Sequence, residues 1–133
     1  MSKNSQISSK ESKHVLKVQA FYNAYNDKFL KVYGDIIQAF RTTNVEDILN
    51  NQIQAMNIQP GMKLLDAGCG VCGPAIHFAN KVGTLTIEAC SISPVQVEMT
   101  EKKINENQVS ERIKVRVGDY HQLSSLFEHN SFD

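Results

Sequence analysis

The chain has 133 residues, of which 41% are hydrophobic and 21% are charged, a balance typical of one modest domain with a core of its own. Its 14 basic residues equal its 14 acidic residues in number, so charge gives no argument for a nucleic acid as partner. No apolar run approaches the roughly 20 residues of a membrane-spanning helix, so no stable membrane insertion is predicted.

The first fourteen residues, 1–14, are rich in Ser, Lys and Asn and lack the apolar segment of a secretory signal. They predict a flexible tail, and the lack of an export signal favours a cytoplasmic location. The chain has three cysteines, and this odd number argues against a disulfide scaffold and fits reduced thiols.

Residues 15–59 are predicted to form an N-terminal helical cap. Apolar and aromatic side chains recur at helical spacing in its first part, and Gly34 is expected to break that run into two pieces. A second helix is predicted to start after Thr43 or Asn44, since either residue can cap it. The apolar stripe of this second helix would comprise Val45, Ile48, Leu49, Ile53 and Met56.

Residues 60–133 show strands alternating with helices after a turn at Pro60-Gly61. The predicted order is a strand at 63–67, a helix at 74–82, a strand at 84–91, a helix at 93–107 and a strand at 113–117. Ser131-Phe132-Asp133 is predicted to enter a fourth strand. This order indicates an α/β fold with a parallel sheet and right-handed crossovers.

A glycine-rich loop follows the first predicted strand, and its key residues in order are Asp66, Gly68, Gly70, Gly73 and Pro74. Parallel sheets bind ligands beyond the carboxyl ends of their strands, and glycines let a ligand approach the backbone. A dinucleotide site favours an acid at the tip of the second strand, where this chain has Ser91, and a phosphate loop needs a lysine that is missing here. S-adenosylmethionine fits better, because its ammonium and sulfonium suit the Asp66 carboxylate.

Four motifs in order resemble class I S-adenosylmethionine-dependent methyltransferases, and in particular the branch acting on sterols, tocopherols and related small molecules. They are LLDAGCGVCGPA at 64–75, Ile92-Ser93-Pro94-x-Gln96, Gly118-Asp119-Tyr120 and Ser131-Phe132-Asp133. The resemblance implies a Rossmann-like parallel sheet with an N-terminal helical cap. It also implies an incomplete domain, in which residues 60–133 supply the first three strands and the start of a fourth.

The resemblance further implies which residues contact the cofactor. The methionine portion would lie along Asp66, Gly68, Cys69 and Gly70. The ribose and adenine would be bordered by Ser91, Ile92, Gln96, Asp119, Tyr120 and His121, with Asp119 accepting a hydrogen bond from the adenine amine. The first helix would close over the cofactor with Tyr22 and Tyr25, and Gly73 would let the next helix pack close to the sheet. Two departures are Cys72, where relatives often have glycine, and Ser91, where many relatives have an acid.

Several of these residues also have plainer interpretations. Asp66 could simply brace its loop, and Gly-Asp at 118–119 is an ordinary turn sequence. Cys69 and Cys72 form a C-x-x-C, but a zinc site needs four ligands and redox chemistry an exposed pair, so we interpret both as small loop residues and predict no metal. His121 is the candidate general base, which is needed only if the acceptor must lose a proton.

The sequence therefore predicts methyl transfer from S-adenosylmethionine to a small-molecule acceptor, with a lipid or terpenoid as the suggested class. The alternatives are a non-catalytic cofactor-binding or dimerisation module and a dinucleotide-dependent oxidoreductase fragment. Ending at Asp133 would leave the first strand with a bare edge, which predicts a fragment of a longer enzyme or a partner chain, such as a second copy, that completes the sheet. Alone, the chain is expected to be a poor catalyst.

Overall fold

A computed structural model describes residues 9–33 and 44–133, which form an α/β fold. Its elements in chain order are α1 (Ser9–Tyr33), α2 (Val45–Ala55), β1 (Lys63–Ala67), α3 (Gly73–Lys81), β2 (Thr86–Ser91), α4 (Pro94–Glu106), β3 (Ile113–Val117) and α5 (Leu123–Leu126). A single 3₁₀ turn, Tyr120–Gln122, precedes α5. Within the described residues, no helix is both long enough and apolar enough to cross a membrane.

The three strands form one parallel sheet in the order β1-β2-β3. Leu65 lies opposite Glu88 in the first pair, and Ala89 lies opposite Val115 in the second. The helices α3 and α4 form the two crossovers, so the carboxyl ends of all three strands lie at one edge. The predicted α/β fold with a parallel sheet is confirmed, and the loops that follow the strands meet at that edge.

The apolar core lies between the sheet and the helices α2, α3 and α4. Leu85, Ile87 and Ile113 are among its largest fully buried side chains, and Leu49 joins them from α2. Burial of one such side chain contributes about 1.5–3 kcal/mol, so this cluster is the main source of stability. Ile87 and Ile113 lie in strands, and β-branched residues such as these favour strands because their side chains pack well on a pleated sheet.

The start of α1 differs from the prediction. The helix begins at Ser9, so residues 9–14, predicted to be part of a flexible tail, are helical. Lysine and glutamate are good helix formers, so a helix can extend through residues 9–14 without an apolar residue to mark its start. Residues 1–8 and the predicted break at Gly34 lie outside the described residues.

The start of α2 resolves the choice between two caps. The side chain of Asn44 accepts a hydrogen bond from the backbone N–H of Asp47 at 3.1 Å, which makes Asn44 the N-cap. Leu49 is buried as the predicted stripe requires, but Met56 lies beyond the last residue of the helix and is 56% exposed. The inclusion of Met56 in the stripe was therefore wrong, because the helix ends one residue before it.

The end of the chain contacts the open edge of β1. The backbone N–H of Asp133 donates to the Lys63 carbonyl at 2.8 Å, and the Asp133 carboxylate accepts from the Lys63 N–H at 2.9 Å. No strand is present over 131–133, so the predicted strand entrance is seen only as this pairing. The short helix α5 was not predicted, because four residues are too few to show helical periodicity.

Candidate cofactor site

A cavity of about 400 Å³ opens at the carboxyl ends of the strands and against α1. Its lining comes from α1 and from the three loops that follow the strands. The lining residues are His14, Val15, Val18, Tyr22, Gly68, Gly70, Ser91, Ile92, Gln96, Gly118, Asp119, Tyr120 and His121. Small-molecule sites in proteins have volumes of about 300–1,000 Å³, so the cavity suits a cofactor-sized ligand.

The glycine loop exposes its backbone to this cavity. Gly68 and Gly70 have positive φ angles of 75° and 57°, a conformation that favours glycine. A Cβ atom added at Gly70 would meet nothing within 4 Å, so the position faces open space. The N–H groups of Gly68 and Cys69 both donate to the Cys90 carbonyl at 2.9 Å, which ties the loop to the end of β2.

Cys72 also adopts the left-handed conformation, with φ at 59°, just before α3 begins at Gly73. A non-glycine residue pays about 1–2 kcal/mol for this conformation, which explains why glycine would suit the position. The Cys72 side chain is fully buried within the apolar core. At Cys72 the backbone therefore adopts a conformation that glycine would adopt more easily, and the chain gains a side chain that packs in the apolar core.

Asp66 stands near the carboxyl end of β1, directly opposite Ala89. Burial raises the pKa of its carboxyl group above the usual value. No described residue forms a hydrogen bond or an ion pair with its side chain. A partly buried carboxyl without a cationic partner is destabilising when ionised, so a ligand cation nearby would stabilise it.

The turn between β2 and α4 holds a compact set of polar side chains. Ser93 caps α4 by accepting a hydrogen bond from the Gln96 N–H at 3.2 Å, as its position before Pro94 predicts. The Ser91 hydroxyl donates to the Gln96 side-chain oxygen at 2.8 Å and accepts from the Ser93 N–H at 3.2 Å. Ser91 and Gln96 are therefore held side by side where they line the cavity.

Asp119 and His121 form a pair at the mouth of the cavity. One Asp119 oxygen, Oδ1, accepts from the His121 backbone N–H at 3.0 Å and lies 2.9 Å from the His121 Nδ1 atom. Burial pushes the pKa of Asp119 upward, but these two contacts outweigh it, and the pKa is lowered overall. The Asp119 carboxylate therefore stays ionised, and its second oxygen has no described protein partner.

Three amide side chains attach α1 to the turn between β2 and α4. Gln19 donates to the Ile92 carbonyl at 2.9 Å. Asn23 accepts from the Ser93 hydroxyl, and Asn26 accepts from the Gln96 side chain at 3.0 Å. These residues lie four and three positions apart, so they share one face of the helix. This amide face was not predicted from the sequence, although its spacing is visible there.

The cavity brings together most of the predicted cofactor residues, namely Tyr22, Gly68, Gly70, Ser91, Ile92, Gln96, Asp119, Tyr120 and His121. It does not bring in Tyr25, which is 43% exposed and contacts Phe21 with ring centroids 5.0 Å apart. Tyr25 lies on the same side of α1 as the lining residue Val18, seven positions earlier, but about 4.5 Å further along the helix axis than Tyr22, the last lining residue of this helix. Three other predicted residues do not line the cavity either: Asp66, Cys69 and Gly73.

Four lining residues were absent from the predicted set: His14, Val15, Val18 and Gly118. His14 was assigned to the tail, so its place in the cavity corrects that assignment. Val15, Val18 and Tyr22 recur at helical spacing, which is the signal that would have identified this face. His77 on α3 does not line the cavity, and its Nε2 atom lies 3.0 Å from the Asn50 side-chain oxygen on α2.

The three cysteines lie together around the glycine loop, and all of them are buried. A hydrogen bond with the Cys72 thiol, together with burial, raises the pKa of Cys69 far above its usual value. Thiolate formation is therefore disfavoured, which argues against redox chemistry at this C-x-x-C. Among the described residues, no group of three His, Cys, Asp or Glu side chains is arranged to hold a metal ion.

Known proteins have similar sequences and a similar fold. The sequence profile of the mycolic acid cyclopropane synthetase family matches residues 9–131. A stretch of 78 residues is 38% identical to a sterol 24-C-methyltransferase of Yarrowia lipolytica, and it covers 59% of this chain and 20% of that protein. The chain thus spans about a fifth of the length of that curated relative.

Two solved structures have a similar fold. The [4+2]-cyclase SpnF superposes with a TM-score of 0.69 at 22% identity, over 79% of this chain and 42% of that chain. A coclaurine N-methyltransferase bound to N-methylheliamine and S-adenosylhomocysteine superposes with a TM-score of 0.52 at 27% identity, over 55% of this chain and 21% of that chain. The second structure supports S-adenosylmethionine as the cofactor predicted from the glycine loop.

The resemblance to class I methyltransferases is confirmed by the fold and by these comparisons. The family profile covers nearly the whole of the described chain, from the first residue of α1 to Ser131, two residues before the one that contacts β1. The chain belongs to the mycolic acid cyclopropane synthetase family.

Proposed function

We propose that the chain binds S-adenosylmethionine in the cavity between α1 and the strand ends, and that it supplies the cofactor-binding half of a small-molecule methyltransferase. The observation that carries this proposal is the convergence of α1 and three strand-end loops on one cavity of about 400 Å³. All the residues that line this cavity lie within the stretch, 9–131, that the family profile matches.

The methionine portion of the cofactor fits the loop after β1. Its ammonium group would approach the carboxylate of Asp66, which does not itself line the cavity but stands two residues before the lining residue Gly68, lacks a described partner and has a pKa raised by burial. The exposed backbone at Gly68 and Gly70 allows close approach, because no side chain stands there. The match of a cationic ligand to an uncompensated carboxylate supports this orientation.

The nucleoside portion fits the loops after β2 and β3. Ser91 lies at the position where many relatives have an acid, and together with Gln96 it offers hydroxyl and amide groups to the ribose. Asp119 keeps one oxygen without a described partner, which suits the adenine amine. Tyr22 on α1 would cover the bound cofactor from the other side.

The methyl group is supplied by the sulfonium of the cofactor in a direct displacement by the acceptor. For this reaction the chain must hold its ligand in line with the acceptor and exclude water, and such positioning provides much of the acceleration. Val15, Val18 and Tyr22 would exclude water from the α1 side. His121 remains the candidate general base for an acceptor that must lose a proton, since it lines the cavity and its Nδ1 atom is held by Asp119.

We further propose a lipid or terpenoid acceptor and a cytoplasmic location. The sterol named for the Yarrowia lipolytica relative supports the acceptor class. The exposed rings of Phe21, Tyr25 and Tyr120 add apolar surface close to residues that line the cavity. The open edge of β1, which Asp133 contacts through its backbone, supports completion of the sheet by a further strand or by a second copy.

A non-catalytic cofactor-binding module is the second candidate function. One neighbour of this fold is named as a cyclase rather than a methyltransferase, so the fold alone does not determine the reaction. Transfer of a radiolabelled methyl group to a lipid extract by the full-length gene product would support the enzyme. Binding of the cofactor with no transfer to any acceptor class would support the module.

Calorimetric titration of the chain with S-adenosylhomocysteine and with NAD tests the cofactor. We expect saturable binding of S-adenosylhomocysteine and no binding of NAD. Binding of NAD alone would overturn the proposal in favour of an oxidoreductase fragment. Asp66→Asn should weaken the binding of S-adenosylhomocysteine, and Glu98→Gln, which changes an exposed carboxylate on α4, is the control for a general loss of charge.

A further inference from the structure

The deepest contact of α1 with the rest of the molecule is polar. Among the described side chains of this helix, only Asn26 is fully buried, at 2% exposure, whereas Leu16 is 61% exposed. A buried amide is costly unless its hydrogen bonds are satisfied. Asn26 is satisfied on both sides, because its oxygen accepts from Gln96 and its nitrogen donates to the Met99 sulfur at 2.8 Å.

These contacts extend into one directed chain of hydrogen bonds. The Ser93 N–H donates to the Ser91 hydroxyl, which donates to the Gln96 oxygen. The Gln96 nitrogen donates to the Asn26 oxygen, and the Asn26 nitrogen donates to the Met99 sulfur. Each end of this chain of hydrogen bonds has a fixed role, since the backbone N–H of Ser93 can only donate and the thioether sulfur of Met99 can only accept. The orientation of every group between them is therefore determined.

This direction determines what the cavity offers to a ligand. The hydroxyl hydrogen of Ser91 is directed toward Gln96, so toward the cavity Ser91 can only accept a hydrogen bond. Gln96 keeps one N–H of its side chain that no described residue uses. The pair thus presents one acceptor and one donor side by side, which matches the two neighbouring hydroxyls of a ribose.

We propose that Asn26 is a positioning residue that fixes the polarity of the Ser91–Gln96 pair and so makes the site selective for a ribose diol. This proposal rests on the proposed binding of S-adenosylmethionine. Asn26 does not line the cavity, so it acts through Gln96 and not by contact with the ligand. Without Asn26, the Gln96 amide could turn over, and the Ser91 hydroxyl would be free to donate in either direction.

Asn23 provides a matched control. It lies on the same face of α1 and bonds to the same turn, but its partner is the Ser93 hydroxyl, which does not line the cavity. Loss of Asn23 therefore loosens α1 without releasing Gln96. A role that is merely structural predicts the same effect on ligand binding from either residue.

The experiment measures the dissociation constants of S-adenosylhomocysteine and of its analogue that lacks both ribose hydroxyls. For the unchanged chain we expect the analogue to bind about tenfold more weakly, the size of one or two net hydrogen bonds. Asn26→Ala should reduce this ratio to about threefold or less, since the polarity of the pair is lost. Asn23→Ala should leave the ratio unchanged even if both affinities fall.

An unchanged ratio in Asn26→Ala would overturn the proposal, and so would an equal fall of the ratio in Asn23→Ala. If Asn26→Ala does not fold, Met99→Leu keeps the side-chain volume but removes the sulfur acceptor, and it should lower the ratio while leaving the chain folded. A chain that binds S-adenosylhomocysteine but does not discriminate against the analogue contradicts this inference alone. A chain that binds neither compound contradicts the proposed function as well.

Discussion

The apolar core and the helix α1 are held in the fold by different forces. The core packs side chains such as Leu85 and Ile87, which have almost no exposed surface. Helix α1 is attached by the amides of Gln19, Asn23 and Asn26, and none of its described apolar side chains is fully buried. Segments with few buried apolar contacts open at a lower free energy than the whole protein unfolds. The side chains that stabilise the fold are therefore different from those that hold α1 over the cavity.

The largest effect is expected from the core. Leu85→Ala removes a side chain with 0% exposure and should lower the free energy of unfolding by about 2–5 kcal/mol. Urea unfolding followed by circular dichroism measures this change. The matched variant Leu16→Ala, on the exposed face of α1, should change it by less than about 0.5 kcal/mol. Similar losses from both variants would contradict the separation of the two regions.

The next effect concerns Asp66 and the ligand. Asp66→Asn should weaken the binding of S-adenosylhomocysteine about tenfold, because a charge-assisted hydrogen bond to its ammonium is lost. The raised pKa of Asp66 means that protonation on acidification should also weaken binding in the unchanged chain. Calorimetry across a pH series measures both effects, and Asp66→Asn should flatten the pH dependence that this carboxyl causes.

The same substitution should not reduce stability. Because the pKa of Asp66 is raised in the folded chain, the folded state binds this proton more tightly than the unfolded state. Its contribution to stability is therefore present below the unfolded value of about 3.9 and is lost as the pH rises through the folded value. Removing the charge should leave the chain at least as stable at neutral pH, and a clear loss of stability there would contradict this account of Asp66.

A smaller effect is expected from the attachment of α1. Gln19→Ala removes the hydrogen bond to the Ile92 carbonyl and should lower the free energy of opening α1 by about 1 kcal/mol. Hydrogen exchange of the α1 amides measures this opening, which should become about fivefold faster. The exchange of β2 amides should stay unchanged. Faster exchange in both elements would show that α1 and the core unfold together.

The smallest effect concerns His77, which packs against α2 through Asn50. Burial lowers the pKa of His77, so its protonation favours the unfolded chain. Its contribution to stability should therefore be complete above the unfolded pKa of about 6.5 and should fall as the pH drops from there toward the lower folded value. Unfolding in urea at several pH values measures it. His77→Gln should lessen the loss over this range, and the same change at the exposed His129 should not.

The sequence predicted the parts of the fold that depend on local patterns. The bounds of β1 and β3 agree with the predicted strands, and the N-caps at Asn44 and Ser93 follow from capping chemistry close by in the chain. The glycine loop was predicted for the same reason, because its strand, turn and helix are adjacent in sequence. These features needed no knowledge of distant contacts.

The sequence could not predict the contacts between distant residues. Asn26 and Gln96 are 70 positions apart, and nothing in a local pattern pairs two amides across that separation. Whether Tyr25 reaches the cavity depends on where α1 is held along the turn between β2 and α4, which those amide contacts determine. His14 was assigned to a tail because its neighbours are polar, although polar residues also form exposed helical turns.

The central claim is that S-adenosylmethionine binds between α1 and the strand ends. A titration of the ¹⁵N-labelled chain with S-adenosylhomocysteine, followed by two-dimensional NMR, tests it most directly. We expect the amide signals of Gly68, Gly70, Ser91 and Tyr22 to shift with one binding curve, while that of His77 stays in place. Saturable shifts confined to α2 and α3, or no shifts at millimolar ligand, would contradict the claim.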